Sequence, residues 1–189
     1  MHIAHAYLKS VSPYSQGRFY QTEKLERESH ADYEKRTWRD KLHTNEEENV
    51  FIPPMALKNM LSSAARYLGM QIPGKGKSTY TKYFESGVMV IDPIVLGIKK
   101  NEVQGQWLFL PADGKRGGSK RVEKCFPFIP KWEGEATFHI IDDLITKSIF
   151  QKHLEEAGKF IGLGVFRPSN NGYYGRFDVV KLDWEKILR

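Results

Sequence analysis

The chain has 189 residues, 40% of them hydrophobic and 13% aromatic, enough for one domain with a real core and too many for a disordered chain. A formal charge of +6, from 29 Lys and Arg against 23 Asp and Glu, leans moderately towards anionic partners. Cys125 is the only cysteine, which excludes an internal disulfide and a cysteine-rich zinc site.

The start, MHIAHAYLKS, has no basic region followed by an apolar run, and no window approaches the roughly 18 apolar residues of a membrane span. The expectation is a soluble intracellular protein, cytoplasmic and without a membrane partner. Residues 2–9, HIAHAYLK, alternate Ile3, His5 and Tyr7 with Ala4, Ala6 and Leu8, the period of a strand. Between residues 15 and 49, seven Lys and Arg stand against nine Asp and Glu, with few aliphatic side chains. This segment is expected to be a long, thumb-like insertion outside the core, partly helical over 22–42.

In VFIPPMALKNMLSSAARYLG, Pro53 and Pro54 suit a helix start, where a missing N–H is harmless. Leu57, Met60, Leu61, Ala64, Ala65 and Leu68 repeat with helical spacing, and Gly69 closes the run. Lys58, Ser62 and Arg66 mark the opposite, polar face. Residues 71–84, QIPGKGKSTYTKYF, form a loop carrying Lys75, Lys77 and Lys82 with no acid among them. GVMVIDPIVLGI (87–98) reads as a buried strand broken at Asp92-Pro93, and QWLFLP (106–111) as a short strand. The stretch 111–124 is expected to be a basic hairpin insertion. It holds Lys115, Arg116, Lys120, Arg121 and Lys124 among glycines, against Asp113 and Glu123.

GEATFHII (134–141) alternates as a strand, and the run 142–162 reads as a helix with early acids and a late glycine. A last strand covers 173–185, with Phe177, Val179 and Leu182 facing inward. Without its insertions the order is βαββαβ, which predicts a single α+β domain over 1–189 with a ferredoxin-like, RRM-like core. Between the second helix and the last strand, FIGLGVFRPSNNGYYGRF (160–177) combines Gly162, Gly164, Gly172 and Gly175 with Arg167, Arg176 and five aromatics. Glycine is costly to order, so such a run signals left-handed backbone or close approach of another group.

Two stretches, FIPPMALKNMLSSAARYLG and FIGLGVFRPSNNGYYGRF, together resemble the RAMP superfamily, the RNA-binding backbone and processing subunits of CRISPR effector complexes. The first is similar to that superfamily's motif at the first helix, departing from it at Pro54, Met55 and Asn59; the second is similar to its glycine-rich loop. The segment 15–49 lies where backbone subunits carry a thumb. The resemblance implies binding of single-stranded RNA, or of DNA in a solitary relative, without strong sequence preference. It also implies self-association along the strand, or association with other effector subunits.

On that reading, a phosphate backbone lies against Gly162, Gly164, Gly172 and Gly175, because N–H groups without a Cβ in the way form an anion-binding concavity. Arg167 and Arg176 add charge, and Tyr173 or Tyr174 offers a ring for an unpaired base. Lys58, near a helix start, and Arg66 are further phosphate contacts, as are Lys115, Arg116, Lys120 and Arg121. Alternative readings are a virus-encoded relative that binds single-stranded DNA or imitates a CRISPR subunit, and a metal-independent ribonuclease. Asp32, Asp40, His30 and His43 stand where some members keep catalytic groups, but no catalytic residue is assigned among them. Six histidines without a second cysteine show no metal-ligand spacing, and neither metal nor cofactor is expected.

Overall fold

The computed structural model describes residues 1–112 and 120–187. In chain order it places β1 (His2–Ser10), α1 (His30–Thr37) with a tight turn at Trp38–Lys41, β2 (Asn49–Ile52), α2 (Pro54–Leu68) and α3 (Thr81–Gly87). There follow β3 (Val88–Val90), β4 (Ile94–Lys99), β5 (Gln104–Pro111), β6 (Arg121–Phe128) and β7 (Glu133–Ile140). α4 (Lys147–Glu156) runs into a wide turn at Ala157–Ile161, and β8 (Phe177–Lys186) is the last strand among the described residues.

The result is a mixed α+β structure. Its main sheet has the order β3-β7-β1-β8, with each neighbouring pair antiparallel. With α2 and α4 as connections, this order is compatible with a ferredoxin-like arrangement. β1 lies at the centre, Ala4 paired with Phe138 on one side and Trp184 on the other. Ala4, Ala6 and Leu8 are wholly buried, and the two alanines let helices approach the sheet closely. Leu57, Leu61 and Ala64 of α2 and Phe150 and Leu154 of α4 fill that face. The rings of Phe138 and Phe150 meet edge to face at 5.1 Å. α2 keeps its expected ends, Pro54 at the first turn and Gly69 at φ +52.

Four local expectations change. The segment 15–49 is not outside the core: Trp38 and Leu42 are buried in it, and so are the polar Ser15, Gln16, Glu34 and Thr37. The Gln16 amide donates to the Phe51 carbonyl at 2.7 Å and accepts the His43 N–H at 2.6 Å. Gln16, Glu34 and Thr37 find hydrogen-bond partners inside the protein, which composition cannot show. The helix there covers only His30–Thr37, capped by the Ser29 hydroxyl.

The run 87–98 is two strands in two sheets, since β3 joins the main sheet while β4 pairs with β2. Arg121 to Lys124 belong to β6 and pair with β5, so the hairpin insertion expected over 111–124 includes four residues of a strand. Finally, α4 starts after Thr146, whose hydroxyl accepts the Ile149 N–H, rather than at Asp142. Asp142 instead accepts the Leu144 N–H at 2.9 Å in the preceding turn.

Candidate nucleic-acid interface

The segment 160–177 leaves the wide turn after α4, folds through a short turn at Pro168–Asn170 and enters β8. Three of its glycines adopt left-handed backbone: Gly162 (φ +73), Gly164 (φ +75) and Gly175 (φ +73). Close approach is real at all four predicted glycines, but the approaching group is the protein itself. A Cβ at Gly164 would stand 2.1 Å from the Ser15 carbonyl, and one at Gly172 1.9 Å from that of Phe166. At Gly175 it would meet the Leu163 carbonyl at 2.0 Å, and at Gly162 the Pro168 ring at 2.5 Å.

The backbone donors are engaged in the same way. The N–H groups of Leu163, Val165, Tyr174 and Gly175 donate to the carbonyls of Gly175, Ser15, Phe166 and Pro13. These glycines therefore shape a self-packed loop and not the expected open cradle for a phosphate backbone.

The two tyrosines part company. Tyr174 is buried, its hydroxyl donating to Gln106 at 2.6 Å and its ring packed among Phe128, Phe166 and Tyr173. It has no open face for a base, whereas Tyr173 is 57% exposed. Arg176, half-buried, donates to the carbonyls of Lys159 and Tyr173, while Arg167 donates to Ser169 and the Gly164 carbonyl. Both guanidiniums thus brace the loop, and each keeps part of its surface in solvent. Beside them Phe160 stacks on Tyr67 at the end of α2, with centroids 5.4 Å apart and both rings partly exposed.

The polar face of α2 is covered at Lys58 and Ser62. Ser62 is buried, and the Lys58 ammonium donates to Ser62 and to the Phe84 and Glu85 carbonyls at the end of α3. All three ammonium donors are satisfied there, and burial pushes the pKa of Lys58 down. Lys58 holds the last carbonyls of α3 rather than offering a cation at a helix start. Arg66 is exposed but grips Glu85, Nε to Oε1 at 2.7 Å.

At the β5–β6 hairpin, Lys120 and Arg121 are exposed, and Lys115 and Arg116 lie outside the described residues. Lys120 and Arg121, with His30, Phe109 and Lys124, line a groove of about 470 Å³ between α1 and the hairpin. Phe109 (60% exposed) and Trp107 (44% exposed) were not singled out from sequence. The alternation in QWLFLP carries the signal, since it sets both rings on one face of β5.

The acids and histidines considered for catalysis are otherwise occupied or dispersed. Asp32 accepts from the Ser29 hydroxyl at the start of α1, and Asp40 accepts from Thr22 and Lys100. His43 is half-buried against Phe51, with its pKa lowered by burial and then by the charge of Arg18. His30 is exposed. Among the described residues no three His, Cys, Asp or Glu side chains gather in a metal-binding group, and no helix is long and apolar enough to cross a membrane.

No family model and no curated protein matches the chain. Solved structures do. One is a chain from the "Cryo-EM structure of the Type III-B Cmr-beta bound to cognate target RNA", with a TM-score of 0.59 at 13% identity over 98% of this chain. This chain spans 61% of the length of that one. Another is the crystal structure of Cmr6 from Pyrococcus furiosus, with a TM-score of 0.49 at 13% identity, covering 95% of this chain and 99% of that one. The fold shared with the Cmr-beta chain is compatible with the resemblance carried by the two motifs. At 13% identity, what the Cmr-beta likeness shows is the shared fold.

Proposed function

We propose that this chain binds single-stranded RNA as a RAMP-type subunit and associates with copies of itself or with other effector subunits along the strand. Its core is ferredoxin-like, with the segment 15–49 and the β5–β6 hairpin as the elaborations that meet neighbours and RNA. The supporting observation is the fold shared over 98% of the chain with a subunit of a complex bound to target RNA. None of the reported relatives favours DNA.

Contacts would run through the exposed ring of Tyr173 and the solvent faces of Arg167, Arg176 and Arg66. A second group comprises Phe109 with Lys120 and Arg121, and by charge alone Lys115 and Arg116. Cations on phosphates and rings on bases give affinity with little sequence preference. The test is affinity for a single-stranded homopolymer across a salt series. Binding should weaken steeply with salt; Arg176→Ala should reduce the salt slope by about 0.7, the value for one phosphate contact on a single strand. Tyr173→Ala should cost about 1–3 kcal/mol with the slope kept. Salt-independent binding, or none, would remove the proposal.

A further inference from the structure

We infer that the loop 72–80 is a phosphate-binding site that holds phosphodiester groups of a single strand; this rests on the RNA-binding reading above. The loop joins α2 to α3 and is rooted by two buried side chains, Ile72 and Tyr80. Its shape is fixed by backbone hydrogen bonds: Ile72 N–H to the Ser78 carbonyl at 2.9 Å, Lys75 to Ile72 at 3.1 Å, Ser78 to Lys75 at 3.1 Å and Tyr80 to Met70 at 3.0 Å. Gln71 and Thr79 add a bridge across its base. The tip is therefore held in one form while its residues from Pro73 to Ser78 stay exposed.

Gly74 (φ +76) and Gly76 (φ +59) sit at this tip, and nothing lies within 4 Å of the place where a Cβ would stand on either. That is the reverse of the segment 160–177, where the protein's own atoms crowd each predicted glycine. An outside group can reach the backbone at Gly74 and Gly76. Beside them a cavity of about 510 Å³ is lined by Lys77, Ser78, Thr79, Lys82 and Tyr83. Two ammonium groups and three hydroxyls make a donor-rich set, matched to a ligand with several acceptor oxygens and negative charge.

Among the described residues no acid pairs with Lys77 or Lys82. No acid occurs in 71–84, and Glu85, next on α3, is held by Arg66. Lys75 lies 5.6 Å from the centroid of Tyr83, so one lysine steadies the wall while Lys77 and Lys82 face the opening. Lys77, Ser78 and Lys82 of its lining are exposed, which suits a strand running past it better than an enclosed small ligand.

The experiment is fluorescence anisotropy with a labelled oligouridine over a salt series, comparing the intact chain with the double variant Lys77→Ala/Lys82→Ala. Both side chains are exposed, so melting should be unchanged. The slope of log affinity against log salt should fall by about 1.4, at about 0.7 for each phosphate contact on a single strand. A double variant with the affinity and slope of the intact chain would overturn the inference while leaving the RNA-binding proposal standing. An intact chain that ignores oligouridine would overturn both. A parallel titration with tripolyphosphate separates the sources: loss of tripolyphosphate binding with RNA binding unchanged would overturn the assignment to a strand.

Discussion

The carboxylate of Glu34, on α1, contacts the ammonium of Lys41 inside the protein, and both are fastened to Cys125 of β6. Glu34 Oε1 accepts the Cys125 N–H at 2.8 Å, and Lys41 donates to the Cys125 carbonyl at 2.6 Å. Lys124 reaches the other carboxylate oxygen at 3.3 Å. A buried pair so completely hydrogen-bonded clamps the segment 15–49 onto the β5–β6 hairpin.

Removing one partner should therefore be costly. Glu34→Gln leaves the Lys41 ammonium buried without its counter-charge, and denaturant unfolding should show a loss of about 3–5 kcal/mol. Burial alone raises the carboxyl pKa, but the Lys41 and Cys125 hydrogen bonds and the two lysine charges outweigh it, and the net pKa is lowered from 4.5. A carboxyl with a lowered folded pKa lends stability above its ordinary value and loses it as pH falls through the folded one. Acid destabilisation below pH 4.5 should be shallower in the variant.

The second prediction concerns the whole segment 15–49. Its charge pattern suggests that deletion spares folding, but Trp38 and Leu42 lie in the core at 6% and 1% exposure. Trp38→Ala should cost about 3–5 kcal/mol, and the deletion should yield no cooperative thermal transition. A deletion mutant that melts sharply would return the segment to the surface.

Two glycines make a matched comparison. Gly164→Ala drives a Cβ into the Ser15 carbonyl and the Tyr14 ring at a positive φ, so its melting temperature should fall sharply. Gly76→Ala meets nothing within 4 Å and carries only the left-handed penalty, about 1–2 kcal/mol. Equal losses would contradict the crowding described for 160–177.

His153 supplies a pH prediction at milder acidity. It is wholly buried, stacked 4.1 Å from Phe84 and near Tyr80, with Nδ1 bonded to the Ile149 carbonyl and Nε2 without a partner. Burial, its largest influence, lowers the pKa from 6.5, against the Ile149 bond and with the charge of Lys152. The unfolded chain takes up a proton first as pH falls, so stability should decline from about pH 6.5 downwards until the folded value is reached. In His153→Phe this slope should become shallower, the remainder belonging to His43, whose pKa is also lowered.

The sequence by itself marked the strand over residues 2–9, the helix over 54–68 and the strand over 134–140. The alternation around Ala4, Ala6 and Leu8, the helical spacing from Leu57 to Leu68 and the pattern over 134–141 are local records of one buried face. Local stops were legible too: Pro54 and Gly69 bound α2 because each suits a backbone that helix ends require. Tertiary structure alone decided what each polar or flexible residue meets. Lys58 and Glu34 look solvated in sequence, yet their partners come from 26 and 91 residues away. Gly164 and Gly76 both signal left-handed backbone, but Ser15 fills the space beside the first and nothing fills the space beside the second. Periodicity records which side of an element is buried; the identity of the neighbour depends on contacts between residues distant in the chain, which only the folded packing brings together.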